Sequence, residues 1–244
     1  KILNRENSIK ILKDTLNNFE KNKNNLSTIK GIYVYGSPGT GKTYFVKKIL
    51  KELDYDIVCY NAGDIRNKNV FDLITDNNMG DTNVLSMFLK KPKKIAIIMD
   101  EIDGMNNGDK GGITSLIKLI RPKKTKRQKL ESTTSNPIIC ISNYHVDKKI
   151  KELMKVCNTI ELQTPTDSQI DIILKKLINN CDQNIYSNLI NHLNGDLRKL
   201  QTILDIYYKE KDLLNSDIIQ KLFTSTNFCD DVKTITKKLL NNKY

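Results

Sequence analysis

The chain has 244 residues, 39% of them hydrophobic, no tryptophan, and a formal net charge of +12. That length carries one large or two smaller domains with a real core, and the charge predicts either attraction to polyanions or a surface of solvated lysines. Its apolar runs are too short to cross a bilayer and no secretory leader opens it, so neither a membrane span nor secretion is expected.

The first residue is lysine rather than methionine, which fits a piece of a longer protein. Helical spacing of Ile9, Leu12, Leu16 and Phe19 predicts a first helix over 7–20. Then IYVY, Ile32–Tyr35, reads as a buried strand, with a helix from Lys42 and a second strand at Ile57–Tyr60. Residues 70–89 read as mixed and helical, Ile95–Met99 as a strand, and 113–120 as a helix. RPKKTKRQKLESTTS, Arg121–Ser135, reads as an exposed basic loop. Strands follow at Pro137–Ser142 and Thr159–Leu162. Strands alternating with helices imply an α/β domain whose parallel sheet lies between helices. After Pro165 only helical stripes remain, at 167–178 and 197–208, so a small all-helical domain follows. The expected division is 1–163, 164–225, and a tail over 226–244. Five scattered cysteines without CxxC spacing point to reduced, structural thiols, and with two histidines a zinc site is not expected.

Between the first strand and its helix stands GSPGTGKT, a full GxxxxGK[ST] motif. Gly36, Ser37, Pro38, Gly39, Thr40 and Gly41 would wrap backbone N–H groups around phosphate oxygens, helped by the helix N-terminus. Lys42 would reach the β- and γ-phosphates of ATP, and the Thr43 hydroxyl would ligate Mg²⁺.

The run IAIIMDEID ends in acids that would repel one another without a cation or a proton to handle. Asp100, at the strand end, is the expected second Mg²⁺ group, and Glu101 the base that orients and deprotonates the attacking water. Asn143, after PIICIS, is placed to contact that water or the γ-phosphate, the alternative being a cap on the next helix. Arg198, in GDLRKL, starts a helix of the second domain, from which it could reach the γ-phosphate and couple domain closure to the nucleotide.

Strand–P-loop, DE strand, polar strand end and lid arginine together resemble the AAA+ ATPases, a P-loop NTPase domain followed by a helical lid. Within them, MDEIDGM followed by GDKGGI is similar to the large subunits of replication factor C, the eukaryotic sliding-clamp loader. NAGDIRNK, Asn61–Lys68, is similar to that family's NASDxRSK box, and GDLRKL to its GDIRQV; the likeness runs from about Ile32 to Leu204. It implies an ATPase that uses ATP and Mg²⁺ to load a clamp at primer–template DNA, in a hetero-oligomer with small subunits. It also implies a replication site in the nucleus or the cytoplasm, a reducing compartment in either case.

Where small subunits carry an SRC arginine finger, this chain has KVC, Lys155–Cys157. The resemblance therefore implies a subunit that receives a finger from its neighbour. It further implies a C-terminal collar, absent or barely begun at 226–244. It points to duplex-tracking contacts at Arg66 and Lys68 and at Gly112, Ile113 and Thr114 where the next helix starts. VLSMF, Val84–Phe88, occupies the place of the clamp-binding plug, so Met87 and Phe88 are candidate clamp contacts, though such a pair also serves as core. NREN, Asn4–Asn7, is similar instead to replication initiators of the origin-recognition type. Such an initiator ATPase is one alternative, and an AAA+ scaffold that binds ATP without hydrolysing it is another.

Overall fold

The computed structural model describes residues 2–61, 93–107, 112–143, 148–178 and 183–209, apart from 24, 26, 124, 130 and 132. The expected helical region at 70–89 and the tail from 226 lie outside the described residues. The chain divides into two compact units, Lys1–Pro165 and Thr166–Tyr244.

In chain order the first unit contains α1 (Glu6–Lys21), β1 (Gly31–Tyr35), α2 (Lys42–Glu52), β2 (Tyr55–Asn61) and β3 (Lys94–Asp100). A 3₁₀ turn (Ile102–Asn107), α3 (Gly112–Ile120), α4 (Lys126–Lys129), β4 (Ile138–Ser142), α5 (Lys148–Val156) and β5 (Cys157–Glu161) follow. The five strands form one sheet in the order β2-β3-β4-β1-β5, and every pairing is parallel. Such a sheet must be covered on both faces, and alternation along each strand does the sorting. Ile32 and Val34 of β1, with Ala96 and Ile98 of β3, face Leu12 and Leu16 of α1 and Val46 and Ile49 of α2. Tyr33, Ile97 and Met99 face the other way, onto Ile113 and Leu116 of α3 and Ile150 and Leu153 of α5. At Gly31 an added Cβ would come within 2.3 Å of Ile120 Cγ2 and 2.7 Å of Cys157 Sγ, so only glycine lets α3 and β5 close there. Among the described cysteines Cys140 and Cys157 are buried free thiols and Cys59 is exposed.

The basic segment departs from its expected form. It is not a wholly exposed loop: Arg121 and Lys123 turn in to Glu131, with Lys123 Nζ 3.2 Å from a carboxylate oxygen. Lys123 is only 2% exposed. One acid ten residues downstream of Arg121 is enough to fold the run back, a pairing that charge density along the chain does not reveal. Lys126, Arg127 and Lys129, on α4, remain exposed.

The second unit holds α6 (Asp167–Leu177), α7 (Gln183–Leu193) and α8 (Leu197–Lys209) around Ile170, Leu174, Leu189, Leu193, Leu200 and Ile203. At the start of α6 the Gln169 carboxamide oxygen accepts the Thr166 N–H at 3.1 Å, half of a capping box that fixes where the helix begins. No helix among the described residues is long and apolar enough to cross a membrane.

Candidate functional site

The ends of β1, β3 and β4 lie side by side, and each opens directly into a segment singled out in the sequence. β1 runs into residues 36–43, β3 ends at Asp100 and leads to Glu101, and β4 leads to Asn143. The carboxyl end of a parallel sheet, between neighbouring strands, is where open α/β folds build their sites.

The loop after β1 can turn this tightly because of its glycines. Gly39 and Gly41 adopt φ of 78° and 76°, the left-handed region, and Gly41 is the residue from which α2 starts. Gly36 has a different constraint: an added Cβ would stand 2.3 Å from the Leu162 carbonyl oxygen, so the loop presses against the chain leaving β5. Thr40 is fully buried and its hydroxyl donates to the Ser37 carbonyl at 3.0 Å, bracing the loop from inside.

Lys42, buried at 7% exposure, donates from Nζ to the carbonyls of Gly36 at 3.1 Å and Ser37 at 2.8 Å and to Asn143 Oδ1 at 2.9 Å. Thr43 Oγ1 donates to Asp100 Oδ2 at 2.7 Å. The other Asp100 oxygen accepts the Glu101 N–H at 3.0 Å. Glu101 itself is exposed and sits at φ 55°, a left-handed conformation that a glutamate adopts at a cost of about 1–3 kcal/mol. Lys42 with Asn143 and Thr43 with Asp100 thus form two hydrogen-bonded pairs that meet at adjacent residues of α2, with Glu101 beside Asp100.

Two participants are not among the site residues expected from the sequence. Asp103, on the 3₁₀ turn, accepts from Asn143 Nδ2 at 3.2 Å through Oδ2, while its Oδ1 is buried without a hydrogen-bond partner. Such an orphan costs about 1–3 kcal/mol. Burial pushes the neighbouring Tyr33 phenol up to about 12, with the Asp103 charge adding to the rise, so that phenol is neutral. Arg5, just before α1, donates from Nη2 to the Thr40 carbonyl at 2.6 Å, and its guanidinium carbon lies 6.0 Å from the Phe45 ring centroid. Only the NREN tetrapeptide drew attention to that end of the chain, and it gave no hint of a loop contact.

The remaining candidates fall elsewhere. Ile113 is packed in the core and Gly112 is buried, so of that trio only Thr114 has an exposed side chain. Arg198 is the second residue of α8 in the second unit, exposed, with its N–H donating to Asp196 Oδ1 at 2.8 Å. Arg66, Lys68, Met87 and Phe88 lie outside the described residues.

In chemical terms the loop offers backbone N–H groups, a helix N-terminus and a buried ammonium to an anion. Beside them a hydroxyl and a carboxylate oxygen provide hard donors, the kind that suit a small divalent cation carrying phosphates and waters as its other ligands.

Residues 32–164 match the family described as ATPase family associated with various cellular activities, AAA. Among curated proteins the chain is similar to "Replication factor C subunit 1" of Saccharomyces cerevisiae, 28% identical over 88% of this chain and 26% of the relative. The human protein of the same name is 34% identical over 61% of this chain and 12% of its own length. "Replication factor C large subunit" of Nanoarchaeum equitans is 28% identical over 82% of this chain and 44% of the relative. The chain therefore spans about a quarter of the yeast relative and less than half of the archaeal one. Among solved structures, AMPPCP-bound DnaA from Aquifex aeolicus superposes with a TM-score of 0.50 at 15% identity, over 84% of this chain and 64% of that one. At that identity the likeness is one of fold.

Proposed function

The chain belongs to the AAA family of ATPases, and we propose that it is the ATPase module of a clamp-loader large subunit, one that binds ATP with Mg²⁺ and hydrolyses it. The observation that carries this reading is the convergence of Lys42, Thr43, Asp100 and Asn143 from three strand ends into hydrogen-bond contact. In this reading residues 36–41 wrap the phosphates. Lys42 exchanges the Gly36 and Ser37 carbonyls for β- and γ-phosphate oxygens. Thr43 and Asp100 hold the magnesium, which would neutralise charge on the phosphates as the γ-phosphoryl group departs.

Glu101 orients the attacking water and takes its proton, from a rim position where it can approach the γ-phosphate. Asn143 meets the same water or the phosphate. Arg198 belongs to the helical lid and answers to the γ-phosphate on closure. Lys155–Cys157 offers no arginine finger, so a neighbouring subunit supplies one; where such a finger is known, its loss costs about 10³–10⁵ in rate. Similarity to the replication factor C proteins supports small subunits, a sliding clamp and primer–template DNA as partners, at a replication site in the nucleus or an equivalent reducing compartment. Arg66, Lys68 and the start of α3 are the proposed DNA contacts, and Met87 with Phe88 the proposed clamp contact.

The test is ATP affinity and turnover of the chain alone across protein concentration, with and without primer–template DNA. Tight ATP binding with almost no turnover at any concentration is expected, and turnover should appear on adding finger-donating small subunits. Robust turnover rising with concentration of this chain alone would replace the large-subunit reading with a self-assembling ATPase. No ATP binding at all would overturn the nucleotide site.

A further inference from the structure

We propose that Asp103 is a positioning residue for hydrolysis: by accepting from Asn143 Nδ2 it fixes which end of that carboxamide faces the phosphate site. The proposal rests on the ATPase reading above and assigns a role within the same site.

A carboxamide has two nearly isosteric ends of opposite hydrogen-bonding sense, so an asparagine at a strand end can present either an acceptor or a donor. Here the choice is made by its neighbours. Lys42 Nζ, three donors and no acceptor, meets Oδ1 at 2.9 Å. Asp103, as a carboxylate an acceptor only, meets Nδ2 at 3.2 Å. A cation on one side and an anion on the other polarise the amide in the same sense, so both contacts favour one orientation and oppose the flip.

When Lys42 turns to a phosphate, its hold on Oδ1 is released and Asp103 alone keeps the carbonyl end toward the site. Asn143 then offers an acceptor to the attacking water or back to Lys42, and one of its two N–H donors stays committed to Asp103. The orphaned Oδ1 of Asp103 supports this. A group with half its acceptor capacity buried and unused is a poor structural choice beside Tyr33 and the core, and an apolar residue of similar size would fill the same space. Position adds a further link. Asp103 lies two residues beyond Glu101 on the turn that the Glu101 carbonyl closes by accepting the Gly104 N–H at 2.9 Å. One short turn therefore carries both the proposed base and the group that orients its partner across the site.

The experiment compares wild type, Asp103→Leu, Asp103→Asn, Asn143→Ala and the Asp103→Leu/Asn143→Ala double variant. Each is assayed for ATP affinity, for single-turnover hydrolysis with finger-donating subunits present, and for melting temperature. Asp103→Leu should lower the hydrolysis rate about tenfold, roughly the worth of one hydrogen bond to a charged group, with ATP affinity within about twofold of wild type. Asp103→Asn, which still offers an acceptor oxygen, should recover part of that loss. In the Asn143→Ala background Asp103→Leu should change the rate less than about twofold, because the residue it positions is gone. Additive losses, a wild-type rate in Asp103→Leu, or a loss explained by unfolding would overturn the proposal.

The side-chain amide resonances of Asn143, identified by their loss in Asn143→Ala, give a readout independent of turnover. They should move in Asp103→Leu, and unmoved resonances would sink the proposal. Absence of hydrolysis by the wild type would instead strike the ATPase reading and leave the resonances to decide the role of Asp103.

Discussion

Lys42 and Asn143 are separated by 101 residues, yet the lysine Nζ donates to the asparagine Oδ1 over 2.9 Å. The contact ties the loop after β1 to the end of β4, so the ammonium is positioned by tertiary structure as well as by its own loop.

Removing that ammonium should be decisive for binding. Hydrogen bonds to charged groups contribute about 1.5–3 kcal/mol each, and Lys42 is proposed to trade two carbonyl partners for phosphate oxygens. Lys42→Ala should therefore weaken ATP binding by about 100-fold or more by calorimetry. Affinity within threefold of wild type would remove Lys42 from the site.

Glu101 separates function from stability. Its φ of 55° is one that asparagine tolerates better than glutamate. Glu101→Asn should hold or raise stability, by up to about 1 kcal/mol in urea unfolding, while abolishing turnover. Glu101→Gln should keep ATP binding and lose hydrolysis. If Glu101→Gln turned over at the wild-type rate, the base would have to be sought elsewhere.

Gly36 should tolerate nothing larger. An alanine Cβ 2.3 Å from the Leu162 carbonyl oxygen forces one backbone away from the other, and overpacking of this kind costs about 1–3 kcal/mol. Gly36→Ala should lower the urea midpoint and weaken ATP binding together, since the displaced element is the loop itself. A variant as stable as wild type would mean that the two backbones separate freely.

The Arg5 contact predicts a role for the start of the chain in nucleotide affinity. Its guanidinium joins the Thr40 carbonyl to the Phe45 ring, a planar geometry that an ammonium does not reproduce. Arg5→Lys should weaken ATP binding several-fold with the hydrolysis rate of the bound state unchanged. Equal affinity would show that the loop keeps its shape unaided.

Glu131 gives a pH signature. Its hydrogen bond from Arg121, opposed by burial and reinforced by the hydrogen bond and charge of Lys123, holds its carboxyl below the usual carboxylate value. A depressed folded-state pKa contributes stability above the unfolded value, near 4.5, that is lost as pH falls through the folded one. Glu131→Gln should therefore be less stable than wild type at pH 7, with the gap in melting temperature closing as pH drops below about 4.5. A gap independent of pH would mean that the pairing contributes nothing to folding.

Much of this molecule could be read from its sequence, and the exceptions share a cause. Runs of four to six residues mark the five described strands, and the most apolar of them are the central β3, β4 and β1, which a parallel sheet buries on both faces. GSPGTGKT and the DE pair stood out because their chemistry is local. The helix α5 is harder to read: KKIKELMKV is lysine-rich, and its stripe of Ile150, Leu153 and Met154 spans little more than one turn. Asp103 and Arg5 went unread as site residues because their partners lie 40 and 35 residues away. Lys123 looked solvated for the same reason, its charge being answered by an acid downstream. Contacts closed by the fold leave no pattern along the chain.

The pairing of Tyr35 with Ser142 and of Met99 with Cys140 makes the sheet a ruler for the cluster at its end. Each step of register shifts a strand end by about 3.3 Å, and hydrogen bonds tolerate only a few tenths of that. The spacing between an ammonium, a carboxylate and a carboxamide is thus graduated in whole residues, and one backbone ladder calibrates all three at once. Substitutions deep in β4, such as at Cys140, can miscalibrate the site from the interior without touching any residue that lines it.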